Sequence, residues 1–131
     1  MTLFSRIIAG EIPCYKIAED EHCFAFLDIH PLAKGHTLAV PKKEIDYIFD
    51  HDDDTLSSMM VFAKRVASAI QKSVSCKRIG IAIIGLEVPH THVHLVPMKT
   101  MDDINFTRPK LKPSQDELSA MAIKIKTAYQ S

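Results

Sequence analysis

The chain has 131 residues, 16 Lys and Arg against 16 Asp and Glu, and 47% hydrophobic residues. That composition excludes a largely disordered chain, and the length suits a single domain over residues 1–131 with a core of its own. Zero formal charge excludes a broad electrostatic footprint for nucleic acid or an anionic membrane, and no run approaches the roughly 18 consecutive apolar residues of a membrane span.

Arg6 and Glu11 interrupt the apolar N-terminal segment, which argues against a signal peptide or anchor. Cys14, Cys23 and Cys76 are odd in number and isolated, so a disulfide framework is not expected and a reducing, cytoplasmic setting is. Thr2 can cap a short helix whose Leu3, Phe4, Ile7 and Ile8 share a face, and Gly10 suits its stop. Residues 14–19 and 22–28 read as a hairpin turning at Asp20 and Glu21, and residues 35–40 as a third strand ended by Pro41. A long helix over 53–74, capped by Asp52 or Asp53, follows from the spacing of Leu56, Met59, Met60, Ala63, Val66, Ala67, Ile70 and Val74. The apolar run 78–86 reads as a fourth, buried strand and 91–97 as a fifth. Ser114 and Glu117 form a capping box ahead of a C-terminal helix over 114–130. Short-turn strands with helices between and after them predict an α+β fold with an antiparallel sheet.

Seven histidines are the compositional excess, and three of them alternate in Pro89-His90-Thr91-His92-Val93-His94-Leu95-Val96-Pro97. In a strand, alternate side chains share a face, so His90, His92 and His94 would project together. Each ring nitrogen then needs a partner, which makes such a row costly on a half-buried strand. Three chemistries remain open at this point. The row can be a polar sheet face; it can be a metal site completed by His36 or Glu87; or it can be a nucleophilic site acting at phosphorus, one neutral imidazole attacking while neighbours hold the phosphate.

The segment His90-Thr91-His92-Val93-His94-Leu95-Val96 resembles the signature of the histidine-triad (HIT) family, with Thr91 where an apolar residue is usual. Further blocks are similar in the same order: Leu3 to Pro13, Ala25-Phe26-Leu27-Asp28-Ile29-His30-Pro31, and Gly35-His36-Thr37-Leu38-Ala39-Val40-Pro41. The resemblance covers about residues 3–97. It implies a five-stranded antiparallel sheet with a short N-terminal helix, a long helix between strands 3 and 4, a C-terminal helix, and a homodimer. It implies no metal and no cofactor. His92 would be the nucleophile at a nucleotide α-phosphate, His94 would contact phosphate and assist the leaving group, and His90 with His36 would complete the row orienting His92. Asp28 would bind ribose, and Ile29, Phe26, Phe4, Leu3 and Leu38 would line a purine pocket. Substrates implied are nucleoside phosphoramidates, aminoacyl-adenylates and dinucleoside polyphosphates; a nucleotide-binding protein with little catalysis is the alternative.

Two departures stand against that likeness. Ile83-Ile84-Gly85-Leu86-Glu87-Val88-Pro89 is shortened, lacks the family's loop Asn, and has Leu86 and Glu87 where Gln and a hydroxyl residue are usual. Glu87 is therefore expected either to select amine-bearing leaving groups or to slow turnover. Thr2 and Ser5 occupy the positions at which some bacterial relatives carry a zinc-binding cysteine pair, so that site is expected to be absent. His22 and His51, set among charged residues, read as solvated, and His30 as a residue at the pocket edge.

Overall fold

The computed structural model describes the whole chain, Met1 to Ser131. Its elements are α1 (Leu3–Ile8), β1 (Lys16–Glu19), β2 (Cys23–Leu27), β3 (Thr37–Pro41), α2 (Asp53–Ser73), β4 (Arg78–Ala82), β5 (Val93–Met98) and α3 (Gln115–Gln130), with single 3-10 turns at Ile48–Asp50 and Met101–Ile104. The five strands form one antiparallel sheet in the order β1-β2-β3-β5-β4. This is the α+β architecture expected from the element order.

Alternation within the strands divides the core into two layers. Cys23, Ala25, Leu27, Ala39, Val93 and Leu95 face α2 and α3, meeting Met59, Phe62, Val66, Ile70, Leu118 and Ile125. Phe24, Phe26, Leu38 and Val40 face the other way and are covered by Phe4 and Ile7 of α1. Both faces of β2 and β3 are therefore buried, which is why these strands are apolar throughout. Along α2 the buried stripe runs through Met59, Phe62, Ala63, Val66, Ala69 and Ile70. Met60, expected on that stripe, is 41% exposed, and Phe62 holds the core position instead.

The capping chemistry agrees with the sequence. Ser5 N–H donates to Thr2 Oγ1, Thr55 N–H to Asp52 Oδ1, and Ser114 with Glu117 closes the capping box of α3. Asp20 Oδ1 accepts the backbone N–H groups of His22 and Cys23, closing the first hairpin.

Two strand boundaries differ from expectation, and both matter for the site. β4 stops at Ala82 and is not the buried strand expected, because it is the outer strand with only β5 beside it: Arg78 and Ile81 are exposed and the other three residues half-buried; residues 83–92 leave the ladder. β5 begins at Val93, so of the three alternating histidines only His94 lies in a strand. His90 and His92 sit on the irregular approach to it. Thr91 N–H on that approach donates to Ile45 O rather than to a neighbouring strand.

Candidate active site

Three strands place one row of side chains across the α1 face of the sheet. Phe26 of β2 pairs with Leu38 of β3, and Leu38 pairs with His94 of β5. One step further along, Asp28 N–H donates to His36 O, which sets these two residues side by side. Gly35 makes the turn into His36 possible. Its φ of +92° lies in the left-handed region, and an added Cβ would stand 2.9 Å from Val74 Cγ2.

The hydrogen bonds define the tautomer of each imidazole, because a backbone N–H can only donate and a carbonyl can only accept. Leu32 N–H donates to Nδ1 of His36 at 3.0 Å, so the His36 proton is on Nε2. That proton is given to Nδ1 of His94 at 3.0 Å. His94 therefore carries its own proton on Nε2, where no protein group takes it up. His92 is held by different means: its Nδ1–H donates to the carbonyl of His90 at 2.8 Å, leaving the Nε2 lone pair free. A nitrogen with a free lone pair and an N–H donor thus stand on adjacent rings whose centroids are 5.0 Å apart.

His90 takes no part in that pair through its ring. Its Nε2–H donates to Pro41 O at 2.8 Å, and its Nδ1 accepts from the Thr2 hydroxyl at 2.7 Å. It contributes its backbone carbonyl to His92 and ties the N-terminal cap of α1 to the end of β3. The expected single row is in fact two units: His36 orients His94, and the His90 backbone orients His92. Thr2 and Ser5 meet His90 Nδ1 and Glu44, with Ser5 Oγ donating to Glu44 Oε1 at 2.8 Å and Thr2 N–H to the same oxygen. The positions compared above with a cysteine pair form a hydrogen-bonded latch here.

Burial disfavours the charged form of His36, His90 and His94. His36 is 1% exposed, and desolvation, then the His94 and Lys110 charges, lowers its pKa to about 3. Desolvation followed by the His92 and Lys110 charges lowers His94 to about 4. His90 is lowered mainly by burial. Asp28 is pushed up by burial, against a backbone N–H bond from His30 and nearby positive charge. Its Oδ1 accepts His30 N–H at 2.9 Å, while Oδ2 lies 3.6 Å from His36 Nε2.

The other sequence candidates divide into two groups. Phe4, Phe26 and Leu38 are buried together, with the Phe4 ring edge-on to His92 at 5.0 Å. Leu3 and Ile29 are half exposed and lie outside that cluster. Glu87 is exposed, and Leu86 beside it is 89% exposed; neither is drawn onto the histidines. His30 is exposed and hydrogen-bonds Asp28 through its backbone N–H.

His51, expected to be solvated, is buried instead. Its Nε2–H donates to Thr91 Oγ1 at 2.8 Å, and the Thr91 hydroxyl donates to Ile45 O at 2.8 Å. The polar residue in an otherwise apolar position of the triad therefore anchors the loop before α2. Phe106 was missed altogether: its ring lies 4.7 Å from His94 and 6.4 Å from His36. An isolated aromatic residue in the irregular chain between the Met101–Ile104 turn and α3 has no periodicity to reveal it.

Asp28, His36 and His94 could in principle offer a metal three ligand atoms within 4.8 Å of one another. The imidazole nitrogens that face each other are already joined by a hydrogen bond, and Leu32 N–H occupies the remaining nitrogen of His36. A metal would have to displace that chain, so the donor set fits a hydrogen-bonded pair that orients His94 better than a cation.

Comparison with known proteins agrees with this geometry. The HIT domain model matches residues 9–101. A HIT-like protein of Borreliella burgdorferi is 36% identical over 113 residues, covering 81% of each chain. The adenosine 5'-monophosphoramidase of Schizosaccharomyces pombe is 30% identical over 125 residues, 94% of each chain. Among solved structures, a HIT-like protein of Bartonella henselae superposes with a TM-score of 0.83 at 29% identity, covering 97% of this chain and 95% of that one. The arrangement of histidines, the sheet that carries them and these likenesses lead to one conclusion: the chain belongs to the histidine-triad (HIT) family.

Proposed function

We propose that the protein cleaves purine nucleotide conjugates at the α-phosphate through a covalent intermediate on His92. The observation that carries this reading is the free Nε2 lone pair of His92 beside the Nε2–H of His94, both tautomers being held by buried hydrogen bonds. In the first step His92 Nε2 attacks phosphorus, the bond to the leaving group breaks, and the departing atom takes up a proton from solvent water. His94 Nε2–H binds a phosphoryl oxygen as charge grows there. In the second step water attacks phosphorus and gives up a proton to solvent, the P–N bond breaks, and the nucleoside monophosphate leaves with His92 restored. Asp28 accepts the ribose hydroxyls. Phe4, Phe26 and Leu38 back the base, and the half-exposed Leu3 and Ile29 form the lips of its pocket.

The test is a panel of adenosine and guanosine phosphoramidates, an aminoacyl-adenylate and a dinucleoside polyphosphate, assayed with and without a chelator. Turnover of at least one class, unchanged by chelator, is the expected result. Binding of the nucleoside monophosphate with no turnover of any class would favour a nucleotide-binding protein with little catalysis. The exposed, non-polar loop 83–86 and Glu87 would then be its cause.

The same reading includes a homodimer joined along β4. That strand is the outer one on its side of the sheet, and Ile81, Ile84 and Leu86 are exposed on it and just beyond it. Sedimentation of the full chain is expected to give twice the chain mass, and a monomer at micromolar concentration would contradict the interface. No helix is long and apolar enough to cross a membrane. A reducing, cytoplasmic setting suits three free cysteines.

A further inference from the structure

Beyond β5 the chain does not run directly into α3 but first crosses back over the His94 end of the site. Arg108 fastens this strap: one guanidinium nitrogen donates to Leu32 O at 2.6 Å, and the other pairs with Asp102 at 3.2 Å and Asp103 at 3.6 Å. Leu111 N–H donates to Pro31 O at 2.9 Å. The strap is thus anchored to the loop that carries Asp28 and His36. It presents Phe106 edge-on to His94 and, four residues later, Lys110. The Lys110 ammonium donates to Phe106 O at 2.6 Å and to Arg108 O at 3.3 Å, and lies 6.0 Å from the Phe106 ring centre. An ammonium has three N–H donors, so one remains unused within the protein.

We propose that Lys110 binds the phosphoryl charge of the nucleotide at the His94 end of the site. The role rests on the nucleotide reading above and adds to it the one formal positive charge that the chemistry lacks. His36 and His94 are held neutral, and Asp28 is the carboxylate beside them, so an anionic phosphate placed there meets a negative neighbour and only dipolar donors. Lys110 is held by carbonyl oxygens, not by a carboxylate, so its charge is not cancelled locally. Its charge is felt at Asp28, His36 and His94, and no other lysine or arginine acts on either imidazole. The strap also explains how a shortened loop before the triad can be tolerated: the phosphate-binding group comes from the opposite side, after β5.

Calorimetric titration of adenosine, AMP and ADP into the full chain, into Lys110→Met and into Lys110→Arg tests the assignment. The wild type is expected to bind AMP more tightly than adenosine. Lys110→Met is expected to lose about tenfold or more in AMP and ADP affinity while adenosine stays within about twofold. Lys110→Arg is expected to retain most of the preference, which added salt weakens. A parallel loss for adenosine and AMP would make Lys110 a prop for the strap and overturn the proposal, as would unchanged AMP affinity in Lys110→Met. A wild type that binds AMP no better than adenosine would overturn it too, while leaving a nucleoside site standing. Failure of the wild type to bind all three would remove the nucleotide reading itself.

Discussion

Replacing His92 with alanine is expected to lower turnover by at least about a thousandfold while leaving nucleoside monophosphate affinity within a few-fold of the wild type. The split follows from what the side chain does. Its Nδ1–H is spent on the His90 carbonyl, and its only free function is the Nε2 lone pair. Binding relies on other groups: Asp28 for ribose, Phe4 and Phe26 for the base, His94 Nε2–H for phosphate. The ring is 7% exposed and packs on Phe4, so its removal also opens a small void against α1. Thermal denaturation separates that effect from the chemical one. His92→Asn, which keeps an amide donor for the His90 carbonyl, is expected to fold like the wild type and remain inactive. Substantial residual hydrolysis in either variant would exclude attack by His92.

His36→Ala is expected to be the second most damaging change, through two separate effects. The buried Leu32 N–H loses its acceptor, which costs about 1–3 kcal/mol of stability. His94 loses the donor that defines its tautomer, so part of its population carries the proton on Nδ1 and cannot donate from Nε2. A decrease in kcat on the order of tenfold to a hundredfold is expected from that loss. The pH dependence of stability gives a further signature. The folded-state pKa of His36 is about 3, against about 6.5 for an unfolded histidine. Between those values the unfolded chain binds the extra proton, so the neutral, buried ring contributes stability that is complete above about pH 6.5 and is lost as the pH falls toward 3. His36→Ala lacks that contribution, and its melting temperature is expected to fall less steeply with acid over this window than that of the wild type. An unchanged slope would mean that His36 titrates normally and that the ring orienting His94 is not held neutral by burial.

The parts of the molecule that were legible in advance are those with a local code. The stripe through Met59, Ala63, Val66 and Ile70, the caps at Thr2, Asp52 and Ser114, and the aromatic and apolar run of β2 each report on neighbours a few residues away. The cluster of histidines was legible as a composition anomaly, and family likeness extended it to Asp28 and His36. Its geometry was not legible. Strict alternation suggested that three rings share a strand face, yet the ladder begins only at Val93, because Thr91 is drawn to Ile45 and His51 instead. A hydrogen bond across 40 residues leaves no periodic trace, which is also why His51 looked like a solvated residue. The strap carrying Phe106 and Lys110 was invisible for the same reason. It is irregular chain fastened by Arg108 to a carbonyl 76 residues away.

The central claim is a covalent phosphorus–nitrogen bond at His92, and it can be observed directly. Rapid mixing of the full chain with a nucleoside phosphoramidate, quenching under mildly alkaline denaturing conditions that spare an acid-labile phosphoramidate, and peptide mass spectrometry would locate any adduct. The account predicts a nucleoside monophosphate mass on the peptide containing His92, formed within one turnover, absent in His92→Ala and lost on brief acid treatment. Single-turnover hydrolysis at the steady-state rate with no adduct, or an adduct on any other residue, would contradict it.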